Sequence, residues 1–235
     1  MTAEIDFAGE RLTLLPARAA WWPRARTLFI ADTHFGKPAA FRHAGVPVPE
    51  TITDADAHRL ESLCAALNPH HLVILGDFFH APSGRVAQTE SSLQAWRERH
   101  PSLRITLVRG NHDLTSGDPP AHWNFDCVDP GTSLGPFTLA HAPAPPEADP
   151  IRPTLCGHVH PGVILRGTSD ALRLPCFFRA GPPDANGTLI LPAFGRFTGL
   201  GILRPKKTDG VWVIADDTVT DVSPTHSAGL PQSCH

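Results

Sequence analysis

The fold is indicated first by the stretch LFIADTH at residues 28–34, where an apolar run passes directly into polar residues. Two later stretches repeat this pattern, LVILGD at residues 72–77 and ITLVRGNHD at residues 105–113. Short, continuous apolar runs are typical of central strands that are buried on both faces of a sheet. We therefore expect three central strands, each with polar side chains at its carboxyl end.

Helical patterns separate these strands. The spacing of Leu60, Leu63 and Leu67 predicts an amphipathic helix between the first two strands. A second helix is predicted over residues 86–99, with Trp96 facing the core. Alternation of strand, helix and strand predicts right-handed crossover connections, so the first sheet should be largely parallel.

The second half of the chain has a different pattern. From Phe125 onward, short strand candidates are separated by turns rich in Gly and Pro. Because no linker or repeat interrupts the chain, residues 1–222 are interpreted as a single domain, with a surface loop at residues 142–153 and a disordered tail at residues 223–235. We place the strand candidates in a second, mixed sheet packed on the first; they cover residues 137–140, 154–156, 174–178, 188–191, 211–214 and 219–222.

The composition is that of a globular protein without a bulk positive charge. The 235 residues are 41% hydrophobic and 18% charged, with a formal net charge of −3. This balance argues against a protein that coats nucleic acid through its overall charge, although a local basic groove is compatible with it. The N-terminus lacks the pattern of a signal peptide, and the five cysteines show no CxxC spacing. We therefore expect a reduced, cytoplasmic protein.

Five polar clusters carry the chemistry. They directly follow strand candidates, and the carboxyl ends of strands in an α/β sheet face one crevice, so their side chains can converge. Carboxylate, imidazole and carboxamide groups together can hold two divalent cations, which neutralise a phosphate ester and activate water. The pattern therefore predicts a dinuclear metal site for phosphate-ester hydrolysis. The clusters are Asp32 with His34, Gly76 with Asp77, Gly110–Asp113, His141, and Gly157–His160.

These motifs, in this order, resemble those of the calcineurin-like metallophosphoesterase superfamily over roughly residues 27–161. The resemblance implies an α/β fold of four layers, α/β/β/α, in which two packed mixed sheets are flanked by helices. It also implies hydrolysis by a hydroxide that two metal ions activate. The implied ligands are Asp32, His34 and His160 for the first metal, Asn111, His141 and His158 for the second, and Asp77 as the bridge between them.

The resemblance assigns further roles around the metals. His112 would contact the phosphate and protonate the leaving oxygen, and Asp113 would orient His112 through its other ring nitrogen. His80 stands three residues after Asp77, where many members have an acidic residue or an arginine, so it bears on substrate contacts. Oxygen and imidazole ligands without thiolates suit Mn²⁺, Fe²⁺ or Zn²⁺, and the resemblance favours Mn²⁺.

Two further stretches, residues 31–37 with 40–49 and residues 174–178 with 191–199, look like the bacterial group termed the ligase-associated DNA damage response endonuclease, or PdeM. This resemblance implies a DNA endonuclease in DNA repair, with a functional link to an ATP-dependent DNA ligase and a helicase. In that group the second stretch usually ends in two glycines, whereas this chain reads Gly199-Leu200-Gly201. We interpret that departure as a local change in a turn.

Three basic residues are candidates for contacts with a DNA backbone. Lys37 and Arg42 follow the first metal motif and could meet phosphates other than the one that is cleaved. An ordinary solvated basic pair is the alternative interpretation. Arg196 could also face the cleft, and Phe194 and Phe197 beside it could either stack on bases or pack in the core.

Two other functions fit the same residues. A small-molecule hydrolase would cut cyclic nucleotides, nucleotide pyrophosphates or phosphomonoesters, and it would have a cleft closed by loops such as residues 142–153. A non-catalytic scaffold on the same fold would bind proteins, but such scaffolds typically lose metal ligands, and none is missing here. The sequence leaves the oligomeric state open.

Overall fold

The first sheet has seven strands whose spatial order is their order along the chain. In the computed structural model, the described residues are 1–49, 51–144, 152–167, 170–182 and 187–224, without the side chains of residues 51 and 53. The strands are β1 (Ala3–Phe7), β2 (Glu10–Leu15), β3 (Ala19–Trp22), β4 (Thr27–Ile30), β5 (His71–Ile74), β6 (Arg104–Val108) and β7 (Phe125–Val128).

In this sheet, only the neighbouring strands from β4 to β7 pair in parallel. The pairs from β4 to β7 are parallel, whereas those from β1 to β4 are antiparallel. The three predicted central strands are confirmed as β4, β5 and β6. The sequence patterns missed β1 to β3, which follow one another through tight turns; Ala8 and Gly9, at the first turn, both have positive φ. Antiparallel strands can be joined this way because they need no crossover.

The second sheet is mixed, as predicted. Its strand order is β14-β11-β12-β13-β10-β9-β8. Strand β15 also pairs with β12, and β16 pairs with β15. All six strand candidates of the second half are confirmed to within a few residues at their ends, and β8, β11 and β14 were missed. The strands are β8 (Thr132–Leu134), β9 (Phe137–Leu139), β10 (Thr154–Cys156), β11 (Pro161–Arg166), β12 (Ala171–Ala180), β13 (Thr188–Ile190), β14 (Gly201–Ile202), β15 (Gly210–Ala215) and β16 (Thr218–Asp221).

The described residues form four α-helices, all of them in the first half of the chain. They are α1 (Lys37–His43), α2 (Thr51–Leu67), α3 (Ala87–Arg99) and α4 (Asp113–Ser116). Both predicted helices are confirmed as α2 and α3, whereas the two short ones were not predicted. None of the described helices is long and apolar enough to cross a membrane.

Two apolar layers lie on the two faces of the first sheet. Between the sheets, Phe29 and Val73 pack with Phe137 and Phe177, and all four side chains are buried. On the opposite face, Leu28, Ile30 and Leu72 pack with residues of α2 and α3, including Leu60, Leu93 and Trp96. Because β4 and β5 are covered on both sides, they read as continuous apolar runs.

A third apolar cluster covers the outer face of the second sheet. It is built from strand residues such as Cys176, Phe178 and Val213, and no residue of the described helices belongs to it. The two packed mixed sheets are confirmed, but the helical layer expected on this face is not found in the described part of the chain. The second sheet is joined largely by antiparallel pairs such as β11–β12 and β15–β16, which need no helical crossover.

The predicted tail and surface loop fall largely outside the described residues, which leave out 145–151 and 225–235. Ser223, which the sequence placed in the tail, is buried against β15. Its hydroxyl oxygen accepts a hydrogen bond of 2.9 Å from the backbone N–H of Val211. The packed structure therefore extends at least to Ser223.

Candidate metal centre

The polar clusters meet at one edge of the two sheets. Strands β4, β5 and β6 are parallel and in register, with Ile30 opposite Ile74 and Ile74 opposite Leu107. Strands β9 and β10 are also parallel to each other, so their carboxyl ends lie at the same edge of the second sheet. Loops that follow parallel strands share one crevice, which explains how clusters that are far apart in sequence come together.

Glycines before the polar residues make this convergence sterically possible. A Cβ at Gly76, whose φ is +84°, would lie 2.1 Å from Nδ1 of His141. A Cβ at Gly157 would lie 2.4 Å from Oδ2 of Asp32. Real Cβ atoms do not approach other atoms this closely, so a side chain at either position would displace a candidate ligand.

Five of the candidate ligands have a left-handed backbone conformation. Left-handed backbone costs a residue other than glycine roughly 1–2 kcal/mol. Hydrogen bonds between loops hold this conformation: the N–H of Asp32 donates to the carbonyl of Gly76 at 3.1 Å, and the N–H of His34 donates to that of Asp77 at 2.9 Å. The ligand positions with positive φ are Asp32, His34, Asp77, His158 and His160, with φ between 46° and 67°.

One group of possible ligands consists of Asp32, His34 and His160. Nε2 of His34 lies 3.3 Å from Nε2 of His160, and the latter lies 3.7 Å from Oδ1 of Asp32. Two nitrogens bound to one cation at about 2.1 Å would stand about 3 Å apart. The three side chains are therefore spaced as ligands of a single cation.

A second group consists of Asp77, His141 and His158, with Asn111 beside it. Nε2 of His141 lies 3.0 Å from Nδ1 of His158 and 3.0 Å from Oδ1 of Asn111. Nδ1 of His141 donates to the carbonyl of Leu75 at 3.0 Å. Because that bond holds the ring proton on Nδ1, the lone pair of Nε2 is available to a metal.

Asp77 lies between the two groups. Its Oδ2 is 3.8 Å from Nε2 of His34 in the first group and 3.5 Å from Nε2 of His141 in the second. Its Oδ1 accepts a hydrogen bond of 2.9 Å from the backbone N–H of His112. One carboxylate oxygen thus faces both groups, as a bridging ligand requires.

Two further features fit bound cations. Oδ1 of Asp32 is fully buried and has no hydrogen-bond partner among the described residues, which is costly for a carboxylate oxygen unless a cation binds it. Burial, followed by the nearby His160, lowers the pKa of His34 to about 2. His34 is therefore neutral at physiological pH, and neutral imidazole is the form that binds metals.

His112 is positioned differently from the expectation. Its Nδ1 donates to the backbone carbonyl of His80 rather than to Asp113, and its Nε2 lies 3.9 Å from Oδ2 of Asp77. The carboxylate of Asp113 instead accepts three hydrogen bonds from backbone N–H groups. Its Oδ2 accepts from the N–H groups of Asp77 and Gly110, both at 2.8 Å, and its Oδ1 accepts from Phe78 at 3.0 Å. The expected contact between Asp113 and the His112 ring is therefore corrected: Asp113 orders the loops that carry Asp77 and Gly110.

His80 lies inside the centre, as its place in the sequence suggested. Its Nδ1 is 3.4 Å from Nδ1 of His34, and its ring stacks on that of His112 at 4.9 Å between centroids. Burial, with the charge of Lys37 as a further cause, lowers the pKa of His80 to about 4. Together with His34 and His112 it makes a third group of nitrogens close enough to share a cation.

The predicted substrate contacts separate into two places. Lys37, Arg196 and Phe197 line one groove beside the centre. Arg42 instead donates to the carbonyl of Val48 at 3.0 Å and lines a different depression with Asp54 and Gln88. The structure thus does not bring Arg42 to the groove of Lys37, because its side chain leaves the other side of α1.

The two phenylalanines of the Phe-Gly-Arg-Phe segment differ in burial. Phe194 is fully buried in the core between α2 and the first sheet, as the packing alternative predicted. Phe197 is only partly buried and faces the groove. Sequence reasoning missed Phe41, which lines the same groove; its position four residues after Lys37, one helical turn, is the signal that could have found it.

The chain is similar to a known protein family in sequence and to a solved nuclease in both sequence and structure. Residues 25–146 match the profile of the calcineurin-like phosphoesterase family. The crystal structure of the Pseudomonas putida nuclease MPE is 38% identical with a TM-score of 0.79, and the match covers 94% of this chain and 100% of that one. The E. coli phosphoesterase Yfce is 18% identical with a TM-score of 0.41, over 84% of this chain and 98% of that one. No curated protein sequence matches the chain.

Proposed function

The chain belongs to the calcineurin-like phosphoesterase family, and we propose from this membership that it is a nuclease that cleaves the phosphodiester bonds of DNA with two bound metal ions. The observation that carries the proposal is the position of Asp77 between two groups of ligands, within 3.8 Å of a nitrogen in each. A single-cation site would not need a second complete set of ligands.

The two cations would be held by the groups already described. Asp32, His34 and His160 would bind one, and Asn111, His141 and His158 would bind the other, with Asp77 between them. Bound cations of this kind neutralise the phosphate and lower the pKa of water enough to provide hydroxide at neutral pH. The donor set of carboxylate, carboxamide and imidazole groups without thiolate suits Mn²⁺, Fe²⁺ and Zn²⁺ alike, and the family resemblance favours Mn²⁺.

His112 would act on the leaving oxygen. Its Nδ1 is held by the carbonyl of His80, so Nε2 is the nitrogen that faces the centre. The side chain is 33% exposed, whereas that of Asp77 is 3% exposed, so a substrate can reach the imidazole from solvent. General acids in this position typically contribute about 10²–10⁴-fold to the rate.

The choice of DNA as substrate rests on similarity and on the shape of the surface. The relative from Pseudomonas putida, which matches nearly the whole chain, is described as a nuclease. The resemblance to the ligase-associated endonuclease group supports a role in DNA repair in the cytoplasm, linked to a DNA ligase and a helicase. The groove beside the centre is bordered by the exposed residues Arg196 and Gly199, which suits a polymer better than a closed pocket would.

A substrate panel in the presence of Mn²⁺ tests the proposal. We expect hydrolysis of bis-p-nitrophenyl phosphate and of DNA, and little turnover of cyclic nucleotides or p-nitrophenyl phosphate. Single-stranded and duplex DNA are compared in the same panel. Turnover of cyclic nucleotides or monoesters without cleavage of DNA would favour the small-molecule hydrolase and contradict the proposal.

A further inference from the structure

A groove of about 290 Å³ lies beside the metal centre. It begins at Lys37, three residues after the candidate ligand His34, and ends at Gly199. Its walls come from α1 and from the loop that follows β13. None of the side chains that line it carries the imidazole, thiolate or carboxylate group that usually binds divalent metals in proteins. The residues that line it are Lys37, Phe41, Arg196, Phe197, Thr198 and Gly199.

The ammonium group of Lys37 has no counterion in the described part of the chain. No carboxylate there lies within ion-pair distance of it, and partial burial lowers its pKa. Its charge also lowers the pKa values of His34 and His80, so it lies within electrostatic reach of the centre. A partly buried cation without a partner is unfavourable unless an anion binds it. Arg196, which also lines the groove, adds a second positive charge that is exposed.

The groove also presents aromatic surface. The rings of Phe41 and Phe197 meet edge to face, with centroids 5.3 Å apart and an angle of 72° between their planes. Nζ of Lys37 lies 6.0 Å from the first centroid and 5.9 Å from the second. Neither ring is fully buried, unlike that of Phe194. Partly exposed rings beside a cation can take up a base and a phosphate together.

The loop that carries Arg196 and Phe197 is held in place by charged groups that are buried or partly buried. Arg18 donates to the carbonyl of Ala193 at 3.1 Å. Arg59 donates to the carbonyl of Phe194 and stacks on its ring at 4.1 Å.

Asp56 completes this support. It accepts the backbone N–H of Arg196 at 3.2 Å and forms an ion pair of 2.8 Å with Arg59. Burying such charges costs free energy and does not by itself stabilise a fold. Their common effect here is to fix the conformation of the loop, so the groove is formed before a ligand arrives.

We propose that this groove binds a nucleotide next to the scissile phosphate, with its base against Phe197 and Phe41 and its phosphate between Lys37 and Arg196. The inference rests on the proposed nuclease function and deepens it. It makes the enzyme selective for single-stranded, unstacked nucleotides that carry a base. Stacking of one base on an aromatic side chain contributes about 1–3 kcal/mol, which corresponds to roughly 5- to 150-fold in affinity.

The test compares two single-stranded oligonucleotides of equal length, one of thymidine and one of abasic tetrahydrofuran residues, cleaved with Mn²⁺. They carry the same phosphates and differ only in their bases. For the unsubstituted enzyme we expect kcat/KM to be about tenfold or more higher on the thymidine strand. Phe197→Ala should bring that ratio close to one, and Phe197→Trp should keep it because a flat ring remains.

A second substitution tests the phosphate contact. Arg196→Ala, on an exposed side chain, should lower kcat/KM on both strands equally and make cleavage less dependent on salt. Arg204→Ala removes an exposed arginine that lines a different depression and should leave both rates unchanged. Melting temperatures of all variants are measured in parallel.

Different results would overturn different claims. A ratio near one for the unsubstituted enzyme, or an unaltered ratio in Phe197→Ala, would refute the base-binding groove while the nuclease function stands. Hydrolysis of bis-p-nitrophenyl phosphate without cleavage of either oligonucleotide would refute the nuclease function and the groove together.

Discussion

At the scale of single residues, Asp77 is the side chain that lies between the two groups of candidate metal ligands. One of its oxygens faces a histidine of each group, and the other accepts the N–H of His112. An amide in its place would keep the shape but lose the negative charge that a bridge between two cations needs. Replacing Asp77 by an amide should therefore act first on metal binding.

Asp77→Asn should bind at least one metal ion fewer per chain than the unsubstituted protein. The reason is the lost charge between two cations, since the neutral amide is a weak bridging ligand. Metal content after gel filtration, measured by elemental analysis, checks this. Asp6→Asn, an exposed carboxylate on β1, is the control and should keep full metal content. Two tightly bound ions in Asp77→Asn would contradict the bridging role.

His112→Ala should lower kcat by about 10²–10⁴-fold while metal content stays nearly complete. In the proposed mechanism the ring meets the substrate and does not bind a metal, and its Nδ1 is bound to the carbonyl of His80. Steady-state kinetics and elemental analysis on the same sample check both parts. The exposed His122→Ala is the matched histidine control. Loss of metal in His112→Ala would show that His112 is a ligand.

Gly157→Ala should weaken metal binding because its new methyl group would meet Asp32. The added Cβ would stand 2.4 Å from Oδ2 of that ligand, so the carboxylate must move. Gly199→Ala is the control for metal affinity, since a Cβ there has no atom within 4 Å. Calorimetric titration with Mn²⁺ compares the two. Equal affinities would mean that the loop relaxes without disturbing Asp32.

At the scale of elements, neighbouring strands of the first sheet are linked by a buried histidine. His71 on β5 shares a hydrogen bond of 2.8 Å with the hydroxyl of Thr106 on β6. Burial, followed by the charge of Arg104, lowers the pKa of His71 to about 4, whereas a histidine in an unfolded chain titrates near 6.5. The unfolded state therefore takes up a proton at a higher pH than the folded state does.

This difference predicts a loss of stability in acid. The contribution of neutral His71 is complete above about pH 6.5 and falls as the pH drops toward 4, by roughly 3 kcal/mol at most. Urea unfolding between pH 7 and pH 4, followed by tryptophan fluorescence, measures it. His71→Gln should flatten this part of the curve relative to His70→Gln, whose side chain is exposed. Parallel curves for the two variants would exclude His71 as the cause.

At the scale of the whole molecule, the centre joins the two sheets. Asp32 and Asp77 follow strands of the first sheet, whereas His141 and His158 follow strands of the second. The N–H of His158 donates to Oδ2 of Asp32 at 2.8 Å across this boundary. Metal ions bound here would therefore hold the two sheets together.

Removal of metal should lower the melting temperature of the whole domain. Ions that bind only the folded chain stabilise it by an amount that grows with their concentration, about 2.7 kcal/mol at 100 times the dissociation constant. Thermal unfolding with EDTA and after addition of Mn²⁺ measures the shift, and Asp77→Asn should show a smaller one. An unchanged melting temperature in the unsubstituted protein would contradict a centre that bridges the sheets.

Local sequence patterns were sufficient to predict the strands that carry the site. The apolar runs that become β4, β5 and β6 are continuous because both faces are covered, and the polar residues after them are confined to one edge by parallel pairing. Chain order and residue type were therefore enough to bring the candidate ligands together. By contrast, β1 to β3 were not predicted, because β1 and β2 mix buried with exposed residues instead of forming a continuous apolar run and β3 is only four residues long.

The sequence by itself determined which residues meet at the centre, since strand ends and the glycines beside them fix where the backbone goes. Only the tertiary structure decided which hydrogen-bond partner each of these side chains has. Asp113 accepts hydrogen bonds from backbone N–H groups, and His112 donates to the carbonyl of His80. Arg42 donates to the carbonyl of Val48 and does not line the groove of Lys37. Such contacts depend on the rotamers and packing of residues that are distant in sequence, and a local pattern contains no information about either.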